Sequence, residues 1–323
     1  MKKYVIGVDI GGTKIASGIV DVSGKIRKKI ELPTMASKGV ERSLEQVYLS
    51  IDELVGSGEV PAADIKGIGL CAPGPLNQKK GIVYNPPNLK GWNNVPLVEL
   101  VRKRFRKPVL LENDANAAGV AEMLWGAARG YKHIFYVTVS TGIGTAIIID
   151  GKLYTGKNGT AGEGGHAVID YKYKGGSYGM SVPGSIEALA SGPNTVRRLV
   201  SRLKKNGTYA SMLLKLTGER SAELTMKDVA RAAKKGDKFA MAAVEEQARF
   251  LGIWLGSMIS LLDPEIIVIG GGVSHIGKML FDGIKKTIPG HTINRLCAKT
   301  PIVKAWLKKD VGLLGAAAVM IRK

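Results

Sequence analysis

Three glycine-bearing turns and one carboxylate at the head of an alanine-rich stretch are the residues of this chain best suited to chemistry. Asp9-Ile10-Gly11-Gly12-Thr13-Lys14 joins two apolar runs, and a turn without Cβ atoms exposes backbone N–H groups that bind phosphate oxygens. Asp9 stands where a carboxylate can hold Mg²⁺, directly or through water, beside phosphates cradled by Gly11 to Thr13. A lone glycine pair is equally a plain hairpin, so the other turns matter. Thr141-Gly142-Ile143-Gly144-Thr145 offers a second glycine turn with hydroxyls, and two such turns can grip two phosphates of one nucleotide. Glu265-Ile266-Ile267-Val268-Ile269 runs into Gly270-Gly271-Gly272, where a ligand can lie flat against the backbone. Glu112-Asn113-Asp114-Ala115-Asn116-Ala117-Ala118 places Asp114 at a strand-to-helix junction, where a helix N-terminus favours negative charge. Asp in that position is an ordinary N-cap, contributing about 1 kcal/mol to the helix. The same carboxylate is also suited to take the proton of a hydroxyl attacking a γ-phosphorus.

The elements that must position these residues follow from apolar periodicity. Tyr4 to Asp9, Lys14 to Asp21 and a third run through Leu32 read as a three-stranded meander, with turns at Gly11-Gly12 and Ser23-Gly24. Val40, Leu44, Val47, Ile51, Leu54 and Val55 recur at three- and four-residue intervals, which predicts a helix with one buried face. Ile65 to Cys71 is a buried strand. A Pro- and Asn-rich loop, Pro73 to Asn94, then leads to a helix near Pro96 to Phe105, the strand Pro108 to Glu112 and the helix after Asp114. The first half is thus βββαβαβα. A similar order returns in strands His133 to Val139 and Thr145 to Asp150, a turn at Gly151 and a long helical region from Gly184. Strand Ile266 to Ile269, helix His275 to Lys286, strand Ile302 to Trp306 and a closing helix Val311 to Ile321 complete it. Two related α/β halves are the simplest architecture.

The composition excludes several classes. A chain of 323 residues with 45% apolar and 23% charged residues buries a sizeable core in one large or two ordinary domains, and its 42 glycines have no collagen-like period. The longest uncharged stretch, Ile134 to Ile149, is interrupted by Ser, Thr and Gly and is shorter than the ~20 apolar residues of a spanning helix. Asp9 interrupts the apolar start where a leader peptide needs continuity, so a cytoplasmic protein is expected, with no membrane partner. Cys71 and Cys297 belong to no CxxC pair and read as small core residues. A net charge of +20 attracts phosphorylated solutes and polyanions without naming one.

The chain resembles the kinases of the ROK family (repressors, open reading frames, kinases) within the actin-like ATPase superfamily. The resemblance covers nearly the whole sequence. It is carried by Ile6-Gly7-Val8-Asp9-Ile10-Gly11-Gly12-Thr13-Lys14, Pro87-Asn88-Leu89-Lys90-Gly91-Trp92, Glu112 to Ala118, Thr141-Gly142-Ile143-Gly144 and Ala161-Gly162-Glu163-Gly164-Gly165-His166 in this order. It implies an α/β, two-lobed, ribonuclease H-like fold with duplicated halves and an inter-lobe cleft. The small lobe would be 1–116 plus about 307–323 and the large lobe 117–306. By the same resemblance Asp114 is the catalytic base and Asp9 serves Mg²⁺. Gly11, Gly12, Thr13, Lys14, Thr141 and Gly142 meet ATP phosphates, and Gly271 and Gly272 flank the adenosine. The sugar ligands fall on Gly74, Asn88, Asn113, Asp114, Glu163, His166 and Glu187. The implied reaction is ATP-dependent phosphorylation of the 6-hydroxyl of an aldohexose, glucose foremost, by a homodimer. An N-acetylhexosamine kinase, a polyphosphate-using glucokinase and a sugar-sensing regulator are the rivals.

One departure stands out. The family usually follows the GExGH histidine with a zinc loop, CxCGxxGCxE, which here reads Tyr178-Gly179-Met180-Ser181-Val182-Pro183-Gly184-Ser185-Ile186-Glu187. Tyr178, Met180 and Ser185 cannot replace three thiolates, so no structural zinc is expected, and loop order must come from packing and hydrogen bonds. His166 is then available to contact sugar. Gly151 to Asn158 nearly fits a P-loop but lacks the final hydroxyl and the following apolar helix. Gly175-Gly176-Ser177-Tyr178-Gly179 fits GxSxG, but a charged segment precedes it where a nucleophile elbow needs a buried strand. The basic runs at 102–107 and 197–205 read as solvated faces and no nucleic-acid motif accompanies them, so neither a nucleic-acid partner nor the DNA-reading domain of the family's repressor branch is expected.

Overall fold

The computed structural model describes residues 3–173, 175, 181–205, 213, 224–293 and 296–322, with the backbone alone at 204 and 205. Strands β1 (Tyr4–Ile10), β2 (Lys14–Asp21) and β3 (Ile26–Pro33) form the expected meander. Helix α1 (Val40–Gly56) crosses to β4 (Ile65–Ala72), and α2 (Leu97–Phe105) crosses to β7 (Val109–Asn113). The sheet order is β3-β2-β1-β4-β7, with β4 and β7 parallel to β1 and the meander antiparallel. A second sheet repeats that order as β10-β9-β8-β11-β12. Its strands are β8 (Ile134–Val139), β9 (Ile143–Ile149), β10 (Lys152–Leu153), β11 (Ile266–Gly270) and β12 (Ile302–Lys304). The duplication expected from faint sequence echoes is therefore present in the strand connectivity.

Helix α3 (Asp114–Trp125) follows β7. Between β10 and β11 lie α4 (Ile186–Ala190), α5 (Gly192–Lys205), α6 (Met226–Lys234) and α7 (Lys238–Leu262), and α8 (Lys278–Thr287) and α9 (Val311–Ile321) follow β11 and β12. None of the described helices is long and apolar enough to cross a membrane.

Three elements differ from the sequence reading. The loop Pro73 to Asn94 contains a small hairpin, β5 (Leu76–Asn77) with β6 (Ile82–Val83), too short to show a period. The helix expected from His275 starts only at Lys278, because Gly277 at φ 81° breaks it from a 3₁₀ turn over Gly272–Ile276. The strand expected through Trp306 ends at Lys304. The N–H groups of Trp306 and Leu307 instead donate to the buried carboxylate of Glu122 on α3, at 3.2 and 2.9 Å.

The chain divides into two compact units, Met1–Tyr136 with Ala146–Gly162 and Ala305–Lys323, and Val137–Thr145 with Glu163–Lys304. Residues 117–136, 146–162, 305 and 306 belong to the first unit, whereas the division at 116 and 307 assigned them to the second. The reason is the small-residue surface of α3, which packs on two sides. A Cβ on Gly315 of α9 would meet the backbone of Ala117, and one on Gly119 would lie 2.7 Å from the Ala146 Cβ.

Within the first unit, α1 buries Val47, Ile51 and Leu54 against Ile6, Ile15 and Ile19 of the sheet, about 1.5–3 kcal/mol for each fully buried side chain. The opposite face receives α9 at unusually close range. A side chain on Gly7 or Gly69 would overlap the carbonyl oxygens of Leu313 and Ala316, so only glycine permits this contact between helix and strand backbone. Gly69→Ala should therefore destabilise the protein by about 1–3 kcal/mol through overpacking. Gly56→Ala, at the end of α1 with open space around it, should be neutral or gain a few tenths of a kcal/mol. Urea denaturation of the two variants beside the parent checks the contrast, and equal midpoints would contradict it.

Candidate active site

In the first unit the turn between β1 and β2 is closed by Gly11 N–H donating to the Lys14 carbonyl at 3.0 Å. Buried Thr34, just past β3, braces it from outside: its N–H donates to the Thr13 carbonyl at 3.0 Å and its hydroxyl to the Gly11 carbonyl at 2.6 Å. Gly12 lies so close to Asn88 that an added Cβ would be 2.7 Å from the Asn88 carbonyl oxygen. Two of the residues singled out for different ligands, Gly12 and Asn88, thus share one surface. Asn88 is exposed because its neighbours Leu89 and Trp92 anchor the loop in the core. Lys14 is paired with Glu31 at 3.1 Å on the solvent side, and hydrogen bonds from Lys29 and Lys14 hold the Glu31 carboxyl down at about 2. Gly74 is half-buried and precedes Pro75 through a cis peptide bond.

Asp9 ends β1 with its carboxylate among protein atoms. Cys71 Sγ lies 3.3 Å from Asp9 Oδ1 and 3.3 Å from the Gly312 carbonyl oxygen, and a Cβ on Gly312 would collide with the carboxylate. Burial pushes the Asp9 carboxyl up from 3.8 and outweighs the thiol hydrogen bond and the nearby lysines, Lys14 and Lys29. The Cys71 thiol is itself pushed well above its usual range, by burial and then by Asp9 and Asp114, so it is a hydrogen-bond donor rather than a thiolate.

At the β7–α3 junction the cap is Asn113, not Asp114. The Asn113 Oδ1 accepts from Ala115 N–H at 2.9 Å and Asn116 N–H at 3.4 Å. Asp114 is the first helical residue, exposed, and accepts the Ala115 N–H at 2.8 Å. Beneath it, buried Glu112 Oε1 accepts from Gln78 Nε2, Asn113 N–H and Asn116 Nδ2 at 3.0, 2.9 and 3.0 Å. Gln78, which no motif marks, also donates to the Gly159 carbonyl at 2.9 Å.

In the second unit the turn Ser140–Ile143 is closed by Ser140 N–H donating to the Gly142 carbonyl at 2.8 Å. Glu163-Gly164-Gly165-His166 folds over the start of β9: Gly164 N–H donates to Thr145 Oγ1 at 3.1 Å, and Gly165 abuts the Ile143 carbonyl with no room for a side chain. Glu163 and His166 are exposed at the two ends of this turn. Glu187 lies on the other side, with Oε2 accepting the Ile143 N–H at 2.7 Å and Oε1 accepting the Ser181 hydroxyl at 2.7 Å. Of the zinc-loop positions, Tyr178 and Met180 lie outside the described residues, as does most of the GxSxG match. Ser185 caps α4 by accepting the Ala188 N–H at 3.2 Å.

A cavity of about 1060 Å³ in the same unit opens beside Thr141 and Gly272 and is walled by Val196, Met226, Val273 and Ile276. Its size and apolar walls suit an uncharged heterocycle. Gly271, at φ 80°, is wedged under the Val139 carbonyl beside it. Val196 and Met226 come from α5 and α6, and no short motif announces them because only packing brings them to the two glycine turns.

The donor set fits a hard cation. Among the described residues no group of three His, Cys, Asp or Glu side chains gathers as a metal cage. Mg²⁺ needs only one or two protein carboxylates beside phosphates and water, which Asp9 can supply next to the Gly11–Thr13 backbone.

Two sheets of one strand order, each with a glycine turn after its central strand, define the actin-like ATPase class. The chain belongs to the ROK family, whose model matches residues 5–323. It is similar to the glucokinase of Thermotoga maritima, 34% identical over 319 residues, which are 99% of this chain and 98% of that one. Among solved structures it is similar to a ROK family glucokinase from Streptomyces griseus in complex with glucose and AMPPNP, with a TM-score of 0.83 and 32% identity over 99% of this chain and 100% of that one. The xylose repressor of Caldicellulosiruptor bescii is 29% identical over 98% of this chain and 78% of its own.

A raised folded-state pKa at Asp9 means that its ionisation costs stability, a cost absent below the unfolded pKa near 4 and fully present above the folded one. Asp9→Asn should therefore melt higher than the parent at pH 7 while losing activity, and the gap should close as pH falls toward 4. Thermal melts across that range check it, and a variant less stable at neutral pH would contradict it.

Proposed function

We propose that this protein is an ATP-dependent hexokinase that phosphorylates the 6-hydroxyl of an aldohexose, with glucose as its principal substrate. The observation that carries the reading is at the β7–α3 junction. Because Asn113 caps the helix, the exposed Asp114 carboxylate is not needed for that structural task. Glucokinase relatives covering nearly the full chain support the same reading.

Asp114 takes the proton of the attacking sugar hydroxyl, and Glu112, Gln78 and Asn116 fix the turn on which it stands. Gly74, Asn88, Asn113, Glu163, His166 and Glu187 are the residues proposed to meet the sugar's hydroxyls, for which carboxylates and amides are suited partners. The turn of Gly11 to Thr13, through the N–H groups of Gly12 and Thr13, and the N–H groups of Thr141 and Gly142 orient the donor's phosphates, with Lys14 adding positive charge at the first turn. The cavity beside Thr141, Gly271 and Gly272 takes the adenosine. Mg²⁺ bound by Asp9, directly or through water, would neutralise charge on the phosphoryl oxygens. Structural zinc has no part in this reading. It extends to a cytoplasmic homodimer acting in carbohydrate breakdown, whose assembly sedimentation velocity tests.

A coupled ADP-release assay over glucose, mannose, N-acetylglucosamine and N-acetylmannosamine, with ATP and with polyphosphate, should show the highest kcat/KM for glucose with ATP. Turnover of none of them would leave the regulator reading in place. Asp114→Asn should lose ~10²–10⁴ in kcat while still binding glucose by calorimetry, and near-normal turnover would remove Asp114 from its role. His166→Ala should raise the glucose KM with kcat less affected, and an unchanged KM would argue against contact.

A further inference from the structure

The cysteine positions of the family's zinc loop carry no thiolate in this chain, yet Glu187 at its end is held at both oxygens. We propose that Ser181 is a positioning residue that, with the Ile143 N–H, orients the Glu187 carboxylate for sugar recognition; this rests on Glu187 binding the sugar as proposed above.

The Ile143 N–H on Oε2, at 2.7 Å, anchors one end of the carboxylate to the second phosphate turn. One such bond still lets the carboxylate plane rotate about its last torsion, since sp³–sp² torsions are broad. The Ser181 hydroxyl on Oε1, also at 2.7 Å, removes that freedom. Ser181 is nearly fully buried, so water does not readily replace its hydroxyl.

Local chain geometry puts it there. Val182-Pro183-Gly184-Ser185 is a tight turn, with Ser185 N–H donating to the Val182 carbonyl at 3.0 Å and Gly184 at φ 73°. Proline followed by a positive-φ glycine is the sequence of a type II turn. Ile169 N–H donates to the Gly184 carbonyl at 2.9 Å and Ile186 N–H to the Ala167 carbonyl at 2.9 Å, which ties the turn to the segment carrying Glu163 and His166. The turn folds Ser181 back over Glu187, two residues into the Ser185-capped helix. A carboxylate oxygen has two acceptor sites, so each oxygen of Glu187 keeps one for a sugar hydroxyl, in a direction the two donors fix.

The test is steady-state kinetics of Ser181→Ala and Ser181→Thr with glucose and ATP, with melting temperatures measured in parallel. Ser181→Ala should raise the glucose KM about tenfold, as expected for losing one hydrogen bond to a charged group, with kcat within about threefold and the ATP KM unchanged. Ser181→Thr keeps the hydroxyl and should restore the glucose KM to within about threefold of the parent. An unchanged glucose KM in Ser181→Ala, or a Ser181→Thr as impaired as Ser181→Ala, overturns the proposal. So does a drop in melting temperature with equal losses for both substrates, since that is a packing role. A parent that turns over no sugar overturns the functional reading and takes this inference with it, whereas an active parent matched by Ser181→Ala overturns the inference alone.

Discussion

The contact on which most of the first unit depends is the backbone-to-backbone approach of α9 to β1 and β4. Gly7 and Gly69 omit the side chains that would hold the helix away, so the carbonyls of Leu313 and Ala316 come within touching distance of the strands. The same approach puts Gly312 against the Asp9 carboxylate and its carbonyl within reach of the Cys71 thiol. Residues separated by almost the whole length of the chain thus surround one half-buried carboxylate. Burial at Asp9 follows from how the closing helix packs, and so does the upward displacement of its pKa.

The two glycine turns are alike in sequence and are held by different means. The first is braced by Thr34 through the carbonyls of Gly11 and Thr13, on either side of Gly12, and closed by the Gly11 N–H on the Lys14 carbonyl. The second has one of its N–H groups, that of Ile143, already committed to Glu187. Through the Ile143 N–H and the Ser181 hydroxyl the same carboxylate joins this turn to the segment ahead of α4.

Carboxylates recur as organisers rather than reagents. Glu112 gathers three donors on one oxygen beneath Asn113, and Glu122 receives N–H groups from Ala127, Trp306 and Leu307. A buried carboxylate that accepts several N–H donors directs the chain strongly, because removing it leaves those donors unpaired at once. Glu122 explains why the strand expected through Trp306 stops early: the N–H groups that would continue the sheet are used by the helix.

Periodicity and turn chemistry were enough to read most strands and helices, the two-half organisation and the turns at Gly11-Gly12 and Gly142, since these depend on neighbours a few residues apart. The same locality made Asp114 visible as either a cap or a base. That the capping position belongs to Asn113 and not to Asp114 is visible only in the tertiary structure. Thr34, Gln78 and Ser181 left no trace in the sequence because an isolated polar residue means nothing until the fold supplies its partner. The limits of the units, the walls of the cavity and the surroundings of Asp9 were likewise decided by packing between distant segments. Short-range patterns record what each segment prefers, whereas the environment of a charge depends on what is brought against it.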